Sequence, residues 1–300
     1  MLDLEYLAAS YRALGLQVIA DPFSPDVVAP LVSALRAGAP YLLVRMGDGE
    51  MNFLSYGAQA GTPTLDKVVL KQAVMMCEDR FQVSDAWLPL LRDAMVASVE
   101  AADMVGVVGL WRPCPTTAAE MAERCIGKLR ASVRAMSGHW RSIAAMFDYA
   151  RTGALDGKVI GPAHAYFGVA RHMPELIAAA QRVLCISNRP LGVKRLGALH
   201  PGRTIDLLAL NADPVPLSEL PDSPDFLQAV EDRLDPDLSG TLVLIGAGPW
   251  AEFYGEMVRK RNGVAIDFGS AFDLLEGTLS RPVHKHYLGR RGLEPADLFG

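Results

Sequence analysis

The sequence predicts an α/β chain with a Rossmann-like, mostly parallel sheet covered by helices on both faces. Two observations carry this. Apolar runs such as Arg182–Ser187 and Thr241–Ile245 show no polar alternation, so they read as strands buried on both sides. Stretches with helical spacing separate these runs, which is the pattern of parallel strands joined by crossover helices. At 300 residues, 50% of them hydrophobic and 21% charged, the chain has the length and composition for one large folded domain spanning 1–300.

The elements follow in order. Leu4, Leu7, Ala8, Tyr11 and Leu14 predict a helix that Gly15 stops. Ser24-Pro25 supplies an N-cap and a first-turn proline for a second helix through Val27, Leu31 and Leu35, closed by Gly38. Tyr41–Val44 is a buried strand. Residues 64–102 read as two helices broken near Ser84-Asp85. Met104–Val108 is the next strand, opening into Trp111-Arg112-Pro113-Cys114-Pro115, and a helix covers about 117–136. Val159-Ile160, Arg182–Ser187, Thr204–Leu208, Thr241–Ile245 and Val264–Asp267 are further strands. A helix fills Trp250–Arg261, and 213–225 is a proline- and aspartate-rich loop. The last twenty residues, 281–300, read as a basic tail or a flap over a site.

Twenty-nine basic against 34 acidic residues gives a net charge of −5, which argues against a nucleic-acid binder. No apolar run reaches the roughly 18–20 residues of a transmembrane segment. The N-terminus carries acids where a secretory signal would be positive, so a cytoplasmic location is expected. Cys77, Cys114, Cys125 and Cys185 are widely spaced and read as reduced thiols, not as a disulfide scaffold or zinc site.

Two segments carry chemistry. Arg45-Met46-Gly47-Asp48-Gly49-Glu50 follows the first strong strand, and ligands of open α/β sheets bind at the carboxyl ends of strands. If Gly49 bends the chain, Asp48 and Glu50 reach one point, where Mg²⁺ or Mn²⁺ would relieve their repulsion. Gly47 and Gly49 let a phosphate approach closely, and Arg45 offers a bidentate donor. The alternative is an ordinary Asp-Gly turn. The second segment is Gly246-Ala247-Gly248-Pro249, between a strand and a helix, with Asp267 some twenty residues on. It approximates the dinucleotide fingerprint. A phosphate contact, simple strand–helix packing, and true NAD binding all remain open for it.

Together the two segments resemble the GT-D-type glycosyltransferases. Leu43–Glu50 is similar to that family's R-[apolar]-G-D-G-E segment. Leu242–Asp273 is similar to its terminal strand, G-x-G-P turn, helix, strand and D-x-G unit. The resemblance implies a Rossmann-like hexosyltransferase using a nucleotide-diphosphate sugar, UDP-sugar favoured, a divalent cation, Mn²⁺ or Mg²⁺, and a glycan or glycosylated acceptor. It implies metal and diphosphate contacts at Asp48 and Glu50, a glycine turn at Gly246, Gly248 and Pro249, and a D-x-G element at Asp267 and Gly269. Where a histidine is expected after that glycine, this chain has Ser270.

Other candidates are Arg189 in Ser187-Asn188-Arg189-Pro190, for a diphosphate or ribose, and His164, as an acid/base or a structural histidine. Asp267 and Asp273 are the candidate catalytic acids that orient or deprotonate an acceptor. His284 and His286 read as part of a solvated tail, because no third ligand is adjacent. The alternatives to a transferase are an NAD(P)-dependent oxidoreductase built on Gly246, Gly248 and Asp267, and a non-catalytic nucleotide-sugar-binding protein.

Overall fold

The computed structural model describes residues 4–55, 88–109, 133–210 and 229–299. Among these, eight parallel strands form one sheet: β1 Gln17–Val18, β2 Tyr41–Met46, β3 Met104–Val107, β4 Val159–Pro162, β5 Arg182–Ser187, β6 Ile205–Ala209, β7 Thr241–Gly246 and β8 Val264–Asp267. Their spatial order is β1-β4-β3-β2-β8-β7-β5-β6. The helices are α1 Leu4–Ala13, α2 Ala29–Ala37, α3 Asp48–Ser55, α4 Leu88–Ala101, α5 Val133–Arg151, α6 Tyr166–Arg171, α7 Met173–Ala179, α8 Pro190–Leu199, α9 Ala251–Lys260, α10 Ala271–Leu275 and α11 Pro282–Arg291. The α/β, Rossmann-like class is therefore correct.

The absence of alternation in the strands has its reason in two cores. Leu42, Val44 and Met46 of β2 face Met95 and Val99 of α4 and Tyr254 and Val258 of α9. Leu43, on the opposite face, joins Leu31 of α2, Phe167 of α6, Leu196 of α8 and Phe272 of α10. Each such side chain contributes about 1.5–3 kcal/mol on full burial, so both faces of the strand must be apolar. The two N-terminal helices divide between the cores: Leu7, Ala8 and Tyr11 of α1 lie on the first face, and α2 lies on the second.

Strands β2 and β8 meet at the centre, with Tyr41, Leu42 and Leu43 paired to Val264, Ala265 and Ile266. This seam joins the half of the sheet built early in the chain to the half built late. Its carboxyl end presents Arg45 on one side and Asp267 on the other.

Several details differ from the sequence reading. Ser24 caps a short 3-10 turn, Pro25–Val27, and α2 starts only at Ala29. Gly38 does end α2, in the left-handed conformation at φ 63°. Strand β1 was not expected, since two residues carry no periodic signal. The segment from 281 is no solvated tail: it forms α11 and a following turn, and His284, Tyr287, Leu288, Leu298 and Phe299 are buried. The break near Ser84-Asp85, the loop at Trp111–Pro115, most of the helix expected over 117–136 and the loop at 213–225 lie outside the described residues. Among the described residues, no helix is long and apolar enough to cross a membrane.

Candidate functional site

The centre of the site is an ion pair across the β2/β8 seam. Arg45 donates from Nε to Asp267 Oδ2 at 2.8 Å and from Nη2 to Asp267 Oδ1 at 3.0 Å. Its Nη1 donates to the carbonyl of Ala163 at 3.1 Å, just past β4. Its guanidinium carbon lies 5.0 Å from the centre of the Tyr166 ring, a cation–π distance. Burial opposes the charge on Arg45, but Asp267 outweighs it and keeps the guanidinium firmly protonated.

Gly269 explains how the pair closes. It stands at φ +46°, and a Cβ there would collide with Arg45 Nη2. The D-x-G spacing thus places the acid at the strand end and clears the space its arginine occupies.

A second acid, not anticipated from sequence, lies beside this pair. Glu252, in the first turn of α9, is fully buried and accepts from the Arg45 backbone N–H at 3.4 Å through Oε1. Its Oε2 is buried with no hydrogen-bond partner. Burial, then the charges of Asp267 and Glu50, push its carboxyl well above the usual range. Burial also raises Asp267, while Arg45 pulls it back. The bidentate contact makes Asp267 the anion of the two and leaves the proton on Glu252.

The acidic segment adopts a form the sequence reading did not foresee. Asp48, Gly49 and Glu50 are the first turn of α3 and not an open bend at Gly49. A helical backbone does not by itself turn residues two apart toward one point. Glu50 is buried and close enough to raise Glu252. The side chain of Asp48 lies outside the described residues. Gly47 joins β2 to α3, and its carbonyl accepts the Met51 N–H at 3.1 Å.

The glycine turn follows β7. Gly248 has φ +58° and opens a short 3-10 turn, Gly248–Trp250, in which Pro249 is buried. At Gly246 a Cβ would strike the Phe272 ring and come within 3.1 Å of Ser187 Oγ. Packing alone therefore requires glycine at 246.

Arg189 and Asp273 come together at the carboxyl end of β5. Arg189 Nε donates to Asp273 Oδ1 at 2.9 Å and its Nη1 to Asn188 Oδ1 at 3.2 Å. Ser280 Oγ donates to Asp273 Oδ2 at 2.6 Å. Both candidate catalytic acids thus have each carboxylate oxygen engaged, Asp267 by Arg45 and Asp273 by Arg189 and Ser280.

A third cluster adjoins Arg45. His284 Nε2 lies 3.0 Å from Ser270 Oγ and 3.1 Å from Tyr166 OH. His164 packs edge-on to Tyr166 in the aromatic layer beneath, with ring centres 5.8 Å apart. The signal for His284 was its spacing with Tyr287 and Leu288 at i, i+3 and i+4, one face of a helix. The signal for Glu252 was an acid inside the apolar stripe of α9, beside Phe253 and Tyr254.

Among the described residues, no group of three or more His, Cys, Asp or Glu side chains is arranged to hold a metal ion. Comparison with protein-family models, with curated proteins and with solved structures finds no match for this chain.

Proposed function

We propose that the protein is a glycosyltransferase that takes a sugar from a nucleotide-diphosphate donor, with a UDP-sugar favoured, at the carboxyl end of the β2/β8 seam. The observation that carries this reading is the Arg45–Asp267 pair. It joins, across 222 residues of sequence, the R-x-G-D-G-E segment to the D-x-G segment, the two elements of the GT-D resemblance. Three N–H groups of Arg45 are used by Asp267 and Ala163. A guanidinium has five, so two remain for a diphosphate.

The residues present suit a hard divalent cation. Glu50 and Asp267 both act on one guanidinium, so carboxylates outnumber fixed positive charge even with Glu252 protonated, and oxygen donors are what Mg²⁺ and Mn²⁺ take. Glu50, and Asp48 by its place in the motif, would hold the ion. When bound, it would neutralise charge on the departing diphosphate.

The chain's own groups do the remaining work. Asp267 fixes the plane of Arg45, which adds positive charge where the leaving oxygen becomes negative. Gly47 leaves room for the Glu50 carboxylate, which a Cβ there would strike. Arg189, held by Asp273, offers a second cation at the far side of the glycine turn. The dinucleotide alternative is the weaker one: Asp267, its ribose-binding acid, is buried and committed to Arg45.

Thermal-shift titration of the full chain with UDP, GDP, UDP-sugars and NADH, with and without Mn²⁺, tests the reading. A ligand at a hundred times its Kd stabilises by about 2.7 kcal/mol. A UDP shift that needs Mn²⁺ and disappears in Asp48→Asn is expected. An NADH shift indifferent to metal would transfer the function to the oxidoreductase class.

A further inference from the structure

We infer that Ser270, His284 and Tyr166 form a proton relay, through which Ser270 receives the proton of the hydroxyl that attacks the sugar. The inference rests on the transferase reading and adds to it the route of the proton.

Of the three side chains, Ser270 is the outermost. Ser270 follows the Asp267-Phe268-Gly269 turn and is partly exposed, whereas His284 and Tyr166 are buried behind it. The Ser270 and Tyr166 oxygens lie 3.5 Å apart, and both are within 3.1 Å of His284 Nε2. Hydroxyls and a neutral imidazole both donate and accept, so a proton can pass through such a set without any heavy atom moving far. Tyr166 also lies under Arg45, which ties the relay to the centre of the site.

The two candidate catalytic acids nearby are occupied. Asp267 and Asp273 have all four carboxylate oxygens engaged by Arg45, Arg189 and Ser280. His284 differs. Burial holds it neutral, pushed down to about 4; Arg281 and Arg45 add to this and Asp273 opposes it. Tyr166 faces it with a hydroxyl that burial also keeps protonated. The ring's Nδ1 is buried with no hydrogen-bond partner, a cost that a side chain kept only to fill space would avoid.

So weak a base is sufficient here. A hydroxyl oxygen bonding to an electron-poor anomeric carbon becomes strongly acidic as the bond forms, and the transfer is late. In that step the acceptor oxygen bonds to the anomeric carbon while the bond from that carbon to the diphosphate oxygen breaks. The electron pair leaves on the diphosphate. The hydroxyl proton passes to Ser270 Oγ as Ser270's own proton passes to His284 Nε2. After product release His284 returns it to solvent through Ser270.

The test uses the full chain, UDP-glucose or UDP-galactose, Mn²⁺ and octyl β-glucoside as the hydroxyl donor, with UDP release as the readout. Ser270→Ala is expected to keep the UDP-dependent thermal shift and to slow release about 100-fold. Ser270→Thr, which retains the hydroxyl, should stay within about threefold of wild type. His284→Gln should fall with Ser270→Ala. The acid limb of the wild-type rate should lie nearer pH 4 than the ordinary histidine range. Full activity in Ser270→Ala, or an equal loss in Ser270→Thr, would overturn the relay and leave the transferase standing. No UDP release by the wild-type protein would overturn both.

Discussion

Arg45 and Asp267 meet edge to edge, two N–H donors on two carboxylate oxygens at 2.8 and 3.0 Å, with the acid almost wholly buried. Removing one partner of such a pair strands the other charge in a low-dielectric interior, at about 3–5 kcal/mol. Arg45→Ala should therefore lower unfolding free energy by that amount at pH 7. The loss should shrink when the pH is lowered to 5, because burial favours the protonated form of the abandoned carboxyl. Urea unfolding at the two pH values checks both parts.

Gly269 is expected to tolerate no side chain. The left-handed backbone alone costs an alanine about 1–2 kcal/mol, and its Cβ would displace Arg45 Nη2 as well. Gly269→Ala should thus lose at least that much stability. It should also lose any affinity for nucleotide diphosphates that Arg45 provides, measured by calorimetry on the folded fraction.

Glu252 gives a pH signature of one sign. Its folded pKa is raised, so the native state holds a proton that the unfolded chain gives up near the ordinary glutamate value. Stability attributable to this group falls as pH rises above that value, by about 1.4 kcal/mol per unit until the folded group ionises. Glu252→Gln keeps an oxygen for the Arg45 N–H and removes the titration. The wild-type-minus-variant difference should slope downward with pH, and a flat difference would remove the proton from Glu252.

His284 gives the opposite sign. Its folded pKa lies near 4, below the unfolded value of 6.5, so the unfolded chain binds a proton first as pH falls. Its contribution is intact above 6.5 and is lost between 6.5 and 4, at most about 3 kcal/mol in all. His284→Gln should flatten that acid limb in thermal melts at pH 7, 5.5 and 4.5.

Much of the fold was legible because buried parallel strands advertise themselves. Arg182–Ser187 and Val264–Asp267 match β5 and β8 residue for residue, since each is covered on both faces. The misses fall where local pattern and tertiary packing part company. Gly47-Asp48-Gly49-Glu50 reads as a bend because glycine disfavours helix, yet the chain enters α3 there. The segment at 281–300 reads as solvated because its charges are conspicuous. Lys285 and Arg291 are exposed on α11, while His284, Tyr287 and Leu288 are buried. In the site, Arg45 and Asp267 could be named from their motifs. Their pairing could not, because strand order is a property of the whole sheet. Glu252 and His284 were hidden because a buried titratable group looks in sequence like a surface one.

The placement of β2 next to β8 also sets a timetable. A ribosome delivers Arg45 222 residues ahead of Asp267, which at ordinary elongation rates is an interval of about 10–45 s. Throughout it, one edge of β2 lacks its neighbour and the arginine lacks its bidentate carboxylate. An unfinished chain therefore offers an open strand edge for chaperones to hold. It cannot form the Arg45–Asp267 pair until β8 has been made.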